Sequence, residues 1–139
     1  MKLILAALAI TICAYQAPAY AIPATSDEKL EIKPMNGGKI KAMNDGYIEV
    51  VNRQNVIKIF IYDKDLKLEK ELRDFSVVAE IQRAYSKNHE TLDLKTTGGG
   101  FVATTKDSSV QYLDIGIANR RNGSADRVSF DFPGITNAN

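Results

Sequence analysis

The sequence is poor in the residues that carry thiol and imidazole chemistry. Its 139 residues include one cysteine, Cys13, and one histidine, His89. A single thiol near the N-terminus provides neither a disulfide framework nor a thiolate cage for a metal ion. A single imidazole argues against a zinc site of several histidines and against a histidine-based catalytic triad within one chain.

An excess of charge of either sign is also lacking. The chain has 18 Lys and Arg residues against 17 Asp and Glu residues, for a formal net charge of +1. Proteins that bind nucleic acid need a basic field to hold the phosphate backbone, and this composition does not supply one. We therefore expect no nucleic-acid partner, and a chain of this length suits one domain.

The long apolar run that the sequence does contain lies at its beginning. Lys2 is followed by an apolar stretch from Leu3 to Ala14, and Ala19-Tyr20-Ala21 fits the A-x-A pattern that signal peptidase recognises. About 12 apolar residues at ~1.5 Å each are too short for a hydrocarbon core of ~30 Å. We predict that residues 1–21 are a cleaved secretory signal, that the protein is periplasmic or secreted, and that the mature chain has no membrane span.

Removal of this segment changes the composition of what remains. It takes away Cys13 and Lys2, which leaves 118 residues with 17 basic and 17 acidic side chains and no thiol. Residues 22–33 mix proline, serine and charges without a sustained period and predict a flexible lead-in. We expect one domain over residues 34–133 and a disordered tail over residues 134–139.

Within the expected domain, apolar and polar residues alternate with the period of two that is typical of strands. The clearest turn signal is Asn122-Gly123, because both residues tolerate a positive φ and suit a hairpin. This pattern predicts an all-β fold, a single antiparallel, immunoglobulin-like β-sandwich of about seven short strands. The predicted strands are residues 47–51, 56–62, 77–83, 91–94, 101–104, 111–118 and 127–132.

The segment from Asp65 to Tyr85 allows two interpretations. Leu66, Leu72 and Phe75 follow one another at roughly helical spacing, with charged residues between them. A helix is therefore one interpretation. We favour the other, a polar crossover followed by a strand, because the residues after Phe75 are rich in β-branched side chains.

Two methionines and the histidine form a candidate metal site. Thioether sulfur suits Cu(I), and an imidazole can complete such a site, so Met35, Met43 and His89 are the candidate ligands. Alternatively, the two methionines fill gaps at one end of the core. No cofactor is expected beyond a weakly bound copper or other metal ion at these residues. No catalytic set of residues emerges from the sequence, and we expect the protein not to be an enzyme.

Five stretches spread over residues 34–133 form a further combination. They are Asn36-Gly37-Gly38, Gly46 to Val51, Ile59 to Asp63, Leu94 to Ala103 and Val128 to Phe132. Together they resemble a family of small bacterial periplasmic β-sandwich domains found beside heavy-metal efflux systems of the RND type. That family usually has His-Gly-Gly where this chain has Asn36-Gly37-Gly38, so a metal-binding role of that histidine does not carry over. The resemblance implies a periplasmic β-sandwich with an accessory or binding role.

Together, these features predict a non-enzymatic accessory or binding protein linked to metal homeostasis of the cell envelope, with another envelope protein as its partner. The alternative is an interaction or structural module that pairs an exposed sheet edge with another chain.

Overall fold

The computed structural model describes residues 31–133. The predicted signal peptide of residues 1–21 and the predicted tail of residues 134–139 lie outside the described residues. So does the predicted lead-in of residues 22–33, apart from its last three residues. Within the described range, there is no helix with the length and apolar character that a membrane crossing requires.

Strands and one short 3-10 turn account for the regular structure of residues 31–133. The nine strands in this range are β1 (Lys39–Met43), β2 (Gly46–Arg53), β3 (Val56–Tyr62), β4 (Phe75–Arg83), β5 (His89–Thr91), β6 (Lys95–Thr97), β7 (Gly100–Thr104), β8 (Val110–Asn119) and β9 (Ala125–Asp131).

The strands form two antiparallel sheets that pack together as a sandwich. One sheet has the order β1-β2-β3-β7-β6 and the other has the order β5-β4-β8-β9. With β1 set aside, these are the A-B-E-D and C′-C-F-G orders of immunoglobulin-like sandwiches. The predicted all-β, immunoglobulin-like sandwich is therefore confirmed. Residues 31–133 form nine strands where about seven were predicted, because β1 extends the first sheet and the predicted strand of residues 91–94 is replaced by β5 and β6.

The core forms where the inward faces of both sheets meet. Ile57, Ile59 and Ile61 alternate along β3 and are fully or almost fully buried, as the period of two requires. Ile115 on β8 and Phe130 on β9 are also fully buried and belong to the same cluster. Each such side chain contributes about 1.5–3 kcal/mol when it leaves water, so this cluster supplies the main favourable term in the absence of disulfides.

The segment between β3 and β4 is a crossover and not a long helix. It contains one 3-10 turn, Leu72–Asp74, and β4 begins directly after it at Phe75. Leu72 is buried in the core cluster and thereby attaches the crossover to the core. The crossover interpretation of Asp65 to Tyr85 is thus the one that the structure shows.

Edge strands β1 and β9 meet along one side of the sandwich. Lys39 and Lys41 are exposed but leave β1 on the side that faces the other sheet, and their Nζ atoms donate to the main-chain carbonyls of Asp131 and Ser129 on β9. The Lys41 Nζ atom also lies 5.3 Å from the centre of the Phe130 ring. Inward lysines of this kind cover carbonyl groups that would otherwise be free at a sheet edge.

Candidate functional site

The three predicted metal ligands lie in different parts of the sandwich. Met35 precedes β1 and is about half exposed, whereas Met43 ends β1 and packs against the core. Met43 also lines a cavity of about 40 Å³ beside Asp45 and Phe75, as a gap-filling residue would. His89 begins β5, which is exposed at the edge of the four-stranded sheet opposite β9.

These positions do not bring His89 to the methionines. Strand β1 lies against β9, and three strand spacings of about 4.8 Å each separate β9 from β5. Within residues 31–133, no group of three or more His, Cys, Asp or Glu side chains is arranged to hold a metal ion. Copper binding by Met35, Met43 and His89 stays a prediction from the sequence.

A buried carboxylate lies on the outer face of the five-stranded sheet and is not among the predicted site residues. Glu49 on β2 is fully buried although its side chain points away from the core. Its two oxygens accept the main-chain N–H groups of Met35, Asn36 and Gly38 at 3.1, 2.8 and 3.0 Å. They also accept the Asn36 side-chain amide at 3.1 Å and the Tyr62 hydroxyl at 2.9 Å.

Hydrogen bonds compensate for the burial of this charge. Burial alone raises the pKa of the Glu49 carboxyl, but the N–H groups of Gly38 and Asn36 and the Tyr62 hydroxyl hold that pKa below its ordinary value of 4.5. Burial and the neighbouring carboxylate raise the pKa of Tyr62 well above its ordinary value of 10.0. Glu49 is therefore ionised and Tyr62 neutral at pH 7. With its oxygens occupied by donors, the carboxylate holds the chain before β1 against the sheet.

The Asn36-Gly37-Gly38 motif acquires a structural explanation at this site. The Asn36 amide nitrogen donates both to Glu49 and, at 2.7 Å, to the Tyr62 hydroxyl. Gly37 has φ +74°, a conformation that side-chain-bearing residues adopt at a cost. At Gly38, a Cβ atom would lie 2.2 Å from the carbonyl oxygen of Val50. The glycines therefore allow the main chain to approach Glu49 closely.

Gly38→Ala is expected to lower the free energy of unfolding by about 2 kcal/mol, as overpacked positions do. The added methyl would overlap the main chain of β2 and would push the Gly38 N–H away from Glu49. Denaturant unfolding followed by circular dichroism measures the change. Gly98→Ala is the matched control, because a Cβ atom there meets nothing within 4 Å. Equal stabilities of the two variants would contradict the close approach.

Beside this buried carboxylate lies an open groove, which we call the β2–β3 groove. Its volume is about 370 Å³, and it lies on the outer face of the five-stranded sheet. Its lining residues are Asn36, Val51, Arg53, Gln54, Val56, Lys58 and Phe60. The Glu49 hydrogen bonds hold Asn36 in place as one wall, and the Asn36 carbonyl accepts the Arg53 guanidinium at 3.4 Å.

The groove and its surroundings are cationic. Arg53 and Lys58 are exposed in it, and Lys95 on β6 lies on the same face, since both Lys58 and Lys95 pair with Val102 on β7. None of these three cations forms an ion pair with a carboxylate of residues 31–133. The carboxylate that the strands place on this face, Glu49, is buried and occupied. The exposed surface thus combines positive charge with an apolar floor.

In this region the sequence predicts strand β3 but not the burial of Glu49. The predicted strand over residues 56–62 agrees with β3, and its alternation places Lys58 and Phe60 on the outer face of the sheet. The sequence does not predict the burial of Glu49, because four of its five hydrogen-bond donors come from residues 11–14 positions earlier in the chain. The available signal was a carboxylate between the aliphatic residues Ile48 and Val50, downstream of an Asn-Gly-Gly sequence.

The fold and the groove define an immunoglobulin-like β-sandwich with a cationic, partly apolar recess on one sheet face. Comparisons with family models, with curated proteins and with solved structures found no significant match to this chain.

Proposed function

We propose that this protein is a non-enzymatic binding domain of the cell envelope, and that the β2–β3 groove holds an acidic, partly apolar surface of a partner protein. The observation that carries the proposal is the set of three exposed cations, Arg53, Lys58 and Lys95, on one face. Within the described residues none of them is neutralised by an ion pair. A partner that supplies carboxylates there gains complementary charge, which accelerates association and selects orientation.

The chemistry of the groove supports binding over catalysis. Its lining consists of aliphatic and aromatic surface, two amides and the basic side chains of Arg53 and Lys58, with no carboxylate or imidazole among the seven residues. General acid–base catalysis most often uses His, Asp or Glu side chains, and none of these is among the lining residues. The envelope location and the link to metal homeostasis rest on the signal pattern of residues 1–21 and on the family resemblance.

The sheet faces offer better recognition surfaces than the sheet edges. Edge strands β5 and β6 have three residues each, and the lysines of β1 cover carbonyl groups of β9. Short edges and inward charges are devices that limit pairing with a further strand. The geometry therefore favours a face-bound partner over the edge-pairing alternative.

Binding of an acidic peptide tests this function. A short fluorescent peptide of alternating glutamate and valine is expected to bind the domain saturably, with an affinity that falls as salt increases. Lys58→Glu is expected to weaken this binding by about tenfold or more, which corresponds to about 1.4 kcal/mol. Fluorescence anisotropy at low and moderate ionic strength measures both effects.

The control is Lys87→Glu, which changes the net charge equally. Lys87 is exposed in the loop between β4 and β5 of the other sheet. This variant should bind the peptide like the wild type, and a peptide with lysine in place of glutamate should not bind. Equal weakening by both variants, or no saturable binding by the wild type, would refute the groove as the binding site.

A further inference from the structure

The outer face of the four-stranded sheet has the opposite charge to the face with the β2–β3 groove. Glu80 on β4, Asp114 on β8 and Asp131 on β9 point outward from it. The exposed cation on its strands is Arg127, which lies 3.8 Å from Asp114 and is partly neutralised by it. One face of the sandwich is therefore acidic and the opposite face is basic, although the chain as a whole is nearly neutral.

The acidic face also carries an exposed apolar side chain beside a depression. Val78 on β4 is 53% exposed, and its partner across the sheet is Gly116 on β8. The depression has a volume of about 210 Å³, and its walls include Glu80, Asp114 and Arg127.

Local packing does not require the glycine at position 116. The nearest atom that a Cβ would meet is the carbonyl oxygen of Val78 at 4.0 Å. Gly116 also does not adopt a positive φ. A glycine inside a strand costs roughly 0.5–1 kcal/mol relative to alanine, and glycine often marks a position where another molecule approaches the sheet. At Gly116 it keeps the surface next to Val78 open.

We infer that the partner surface of the β2–β3 groove is the outer face of the four-stranded sheet of a second copy of this chain. In this contact Arg53, Lys58 and Lys95 of one copy face the carboxylates of the other. The exposed Val78 of the second copy meets the apolar floor of the groove. This inference rests on the proposed function, because it names the acidic partner that the groove takes.

The two contact surfaces lie on opposite sides of the same domain, so the contact is heterologous. Each copy that uses its basic face still presents a free acidic face. A heterologous contact grows into rings or open chains and does not stop at a symmetric dimer. The association is also expected to weaken with salt, because dissolved ions screen the attraction between exposed charges. The Debye length is about 8–10 Å near physiological ionic strength and shortens as salt increases.

Sedimentation velocity of the folded domain over a range of concentrations and salt tests the inference. The wild type is expected to increase in mean mass with concentration, to pass beyond the dimer, and to return towards monomer at high salt. Lys58→Glu changes only the basic face and Glu80→Lys only the acidic face. Each variant alone should associate at least tenfold more weakly, whereas the Lys87→Glu control should behave like the wild type.

An equimolar mixture of Lys58→Glu and Glu80→Lys provides the decisive measurement. The intact basic face of one variant can then meet the intact acidic face of the other, so association should return. A symmetric contact between like faces would leave one of the two variants fully associating on its own, and that result would overturn the inference. Failure of the mixture to associate would overturn it as well.

The outcomes also separate this inference from the proposed function. A wild-type protein that stays monomeric to roughly millimolar concentration, yet binds the acidic peptide through Lys58, would refute self-association and retain the binding groove. A protein that neither associates nor binds the peptide would refute both.

Discussion

Glu49→Gln is expected to lower the free energy of unfolding at pH 7 by about 3 kcal/mol. Hydrogen bonds to a charged group contribute about 1.5–3 kcal/mol each, and a buried donor that loses its partner costs additional free energy. The wild-type carboxylate accepts five donors from Met35, Asn36, Gly38 and Tyr62. Glutamine has the same shape but provides one acceptor oxygen and an NH2 group that would face other donors. Denaturant unfolding measures the difference.

The pH dependence of this difference follows from the lowered pKa of Glu49. The stabilisation by the ionised carboxylate is fully present above the ordinary value of 4.5 and is lost as the pH falls through the lower pKa of the folded state. The wild type should therefore lose stability on acidification below pH 4.5 to a greater extent than Glu49→Gln, and the two stabilities should converge. A difference that does not change with pH would contradict an ionised Glu49.

Tyr62→Phe is the matched control for the hydrogen-bond network. It removes one of the five donors and keeps the ring, so a smaller loss of about 1–1.5 kcal/mol is expected. The raised pKa of Tyr62 gives stabilisation that is present below pH 10.0 and is lost as the pH rises towards the folded-state pKa. The phenylalanine variant should lack this alkaline loss. A loss as large as that of Glu49→Gln would contradict the larger contribution assigned to the carboxylate.

Phe130→Ala is expected to cost about 4 kcal/mol, within the range for buried aromatic truncations. Phe130 is fully buried on β9 and stands among the largest fully buried side chains of the described residues. Its truncation leaves a cavity between the two sheets and removes the ring beneath the Lys41 ammonium. A domain of marginal stability, about 5–15 kcal/mol, would lose a large part of it. Guanidinium unfolding followed by circular dichroism measures the loss.

Two further variants keep this prediction testable if Phe130→Ala does not fold. Phe130→Leu retains most of the apolar volume and should cost less than about 1.5 kcal/mol. Phe132→Ala removes the same side chain from a position two residues later that is only partly buried, so its cost should be clearly smaller than that of Phe130→Ala. Similar losses for Phe130→Ala and Phe132→Ala would refute burial between the sheets as the cause.

The fold was predictable because the principal strands follow the alternation that burial of one face imposes. The bounds of Val56 to Tyr62 agree with β3, and residues 111–118 and 127–132 correspond to β8 and β9. Strand β1 was missed because its inward positions hold Lys39 and Lys41, which contact β9 at the side of the sandwich and not the apolar centre. Such an inverted pattern carries no hydrophobic signal.

The segment from Thr91 to Leu94 shows a different limit of pattern reading. It was predicted as one strand, whereas β5 ends at Thr91 in one sheet and β6 begins at Lys95 in the other. Leu92 is buried between them, where the chain changes sheets. Alternation indicates which residues are buried but does not indicate to which sheet a short strand belongs.

The site was less predictable than the fold, for a physical reason. Burial of Glu49 depends on a chain segment that folds back over the sheet from 11 to 14 residues away. The β2–β3 groove is the part of the outer sheet face around Lys58 that stays open after the segment before β1 has folded over Glu49. Both are properties of tertiary packing, and local sequence period contains no information about them. The methionine and histidine hypothesis had the same weakness, since it assumed a proximity that strand order decides.

The lysine contacts between β1 and β9 have a consequence for aggregation. A chain with a net charge of +1 has little mutual repulsion between molecules, and near-neutral proteins tend to come together in concentrated solution. Fibril growth needs a free, flat strand edge as a template for the next chain. On β9, Lys39 and Lys41 donate to two of the edge carbonyls that a further strand would need. Edge strands β5 and β6 are each only three residues long. The contact inferred between copies uses side chains on the sheet faces, so it does not require a free strand edge.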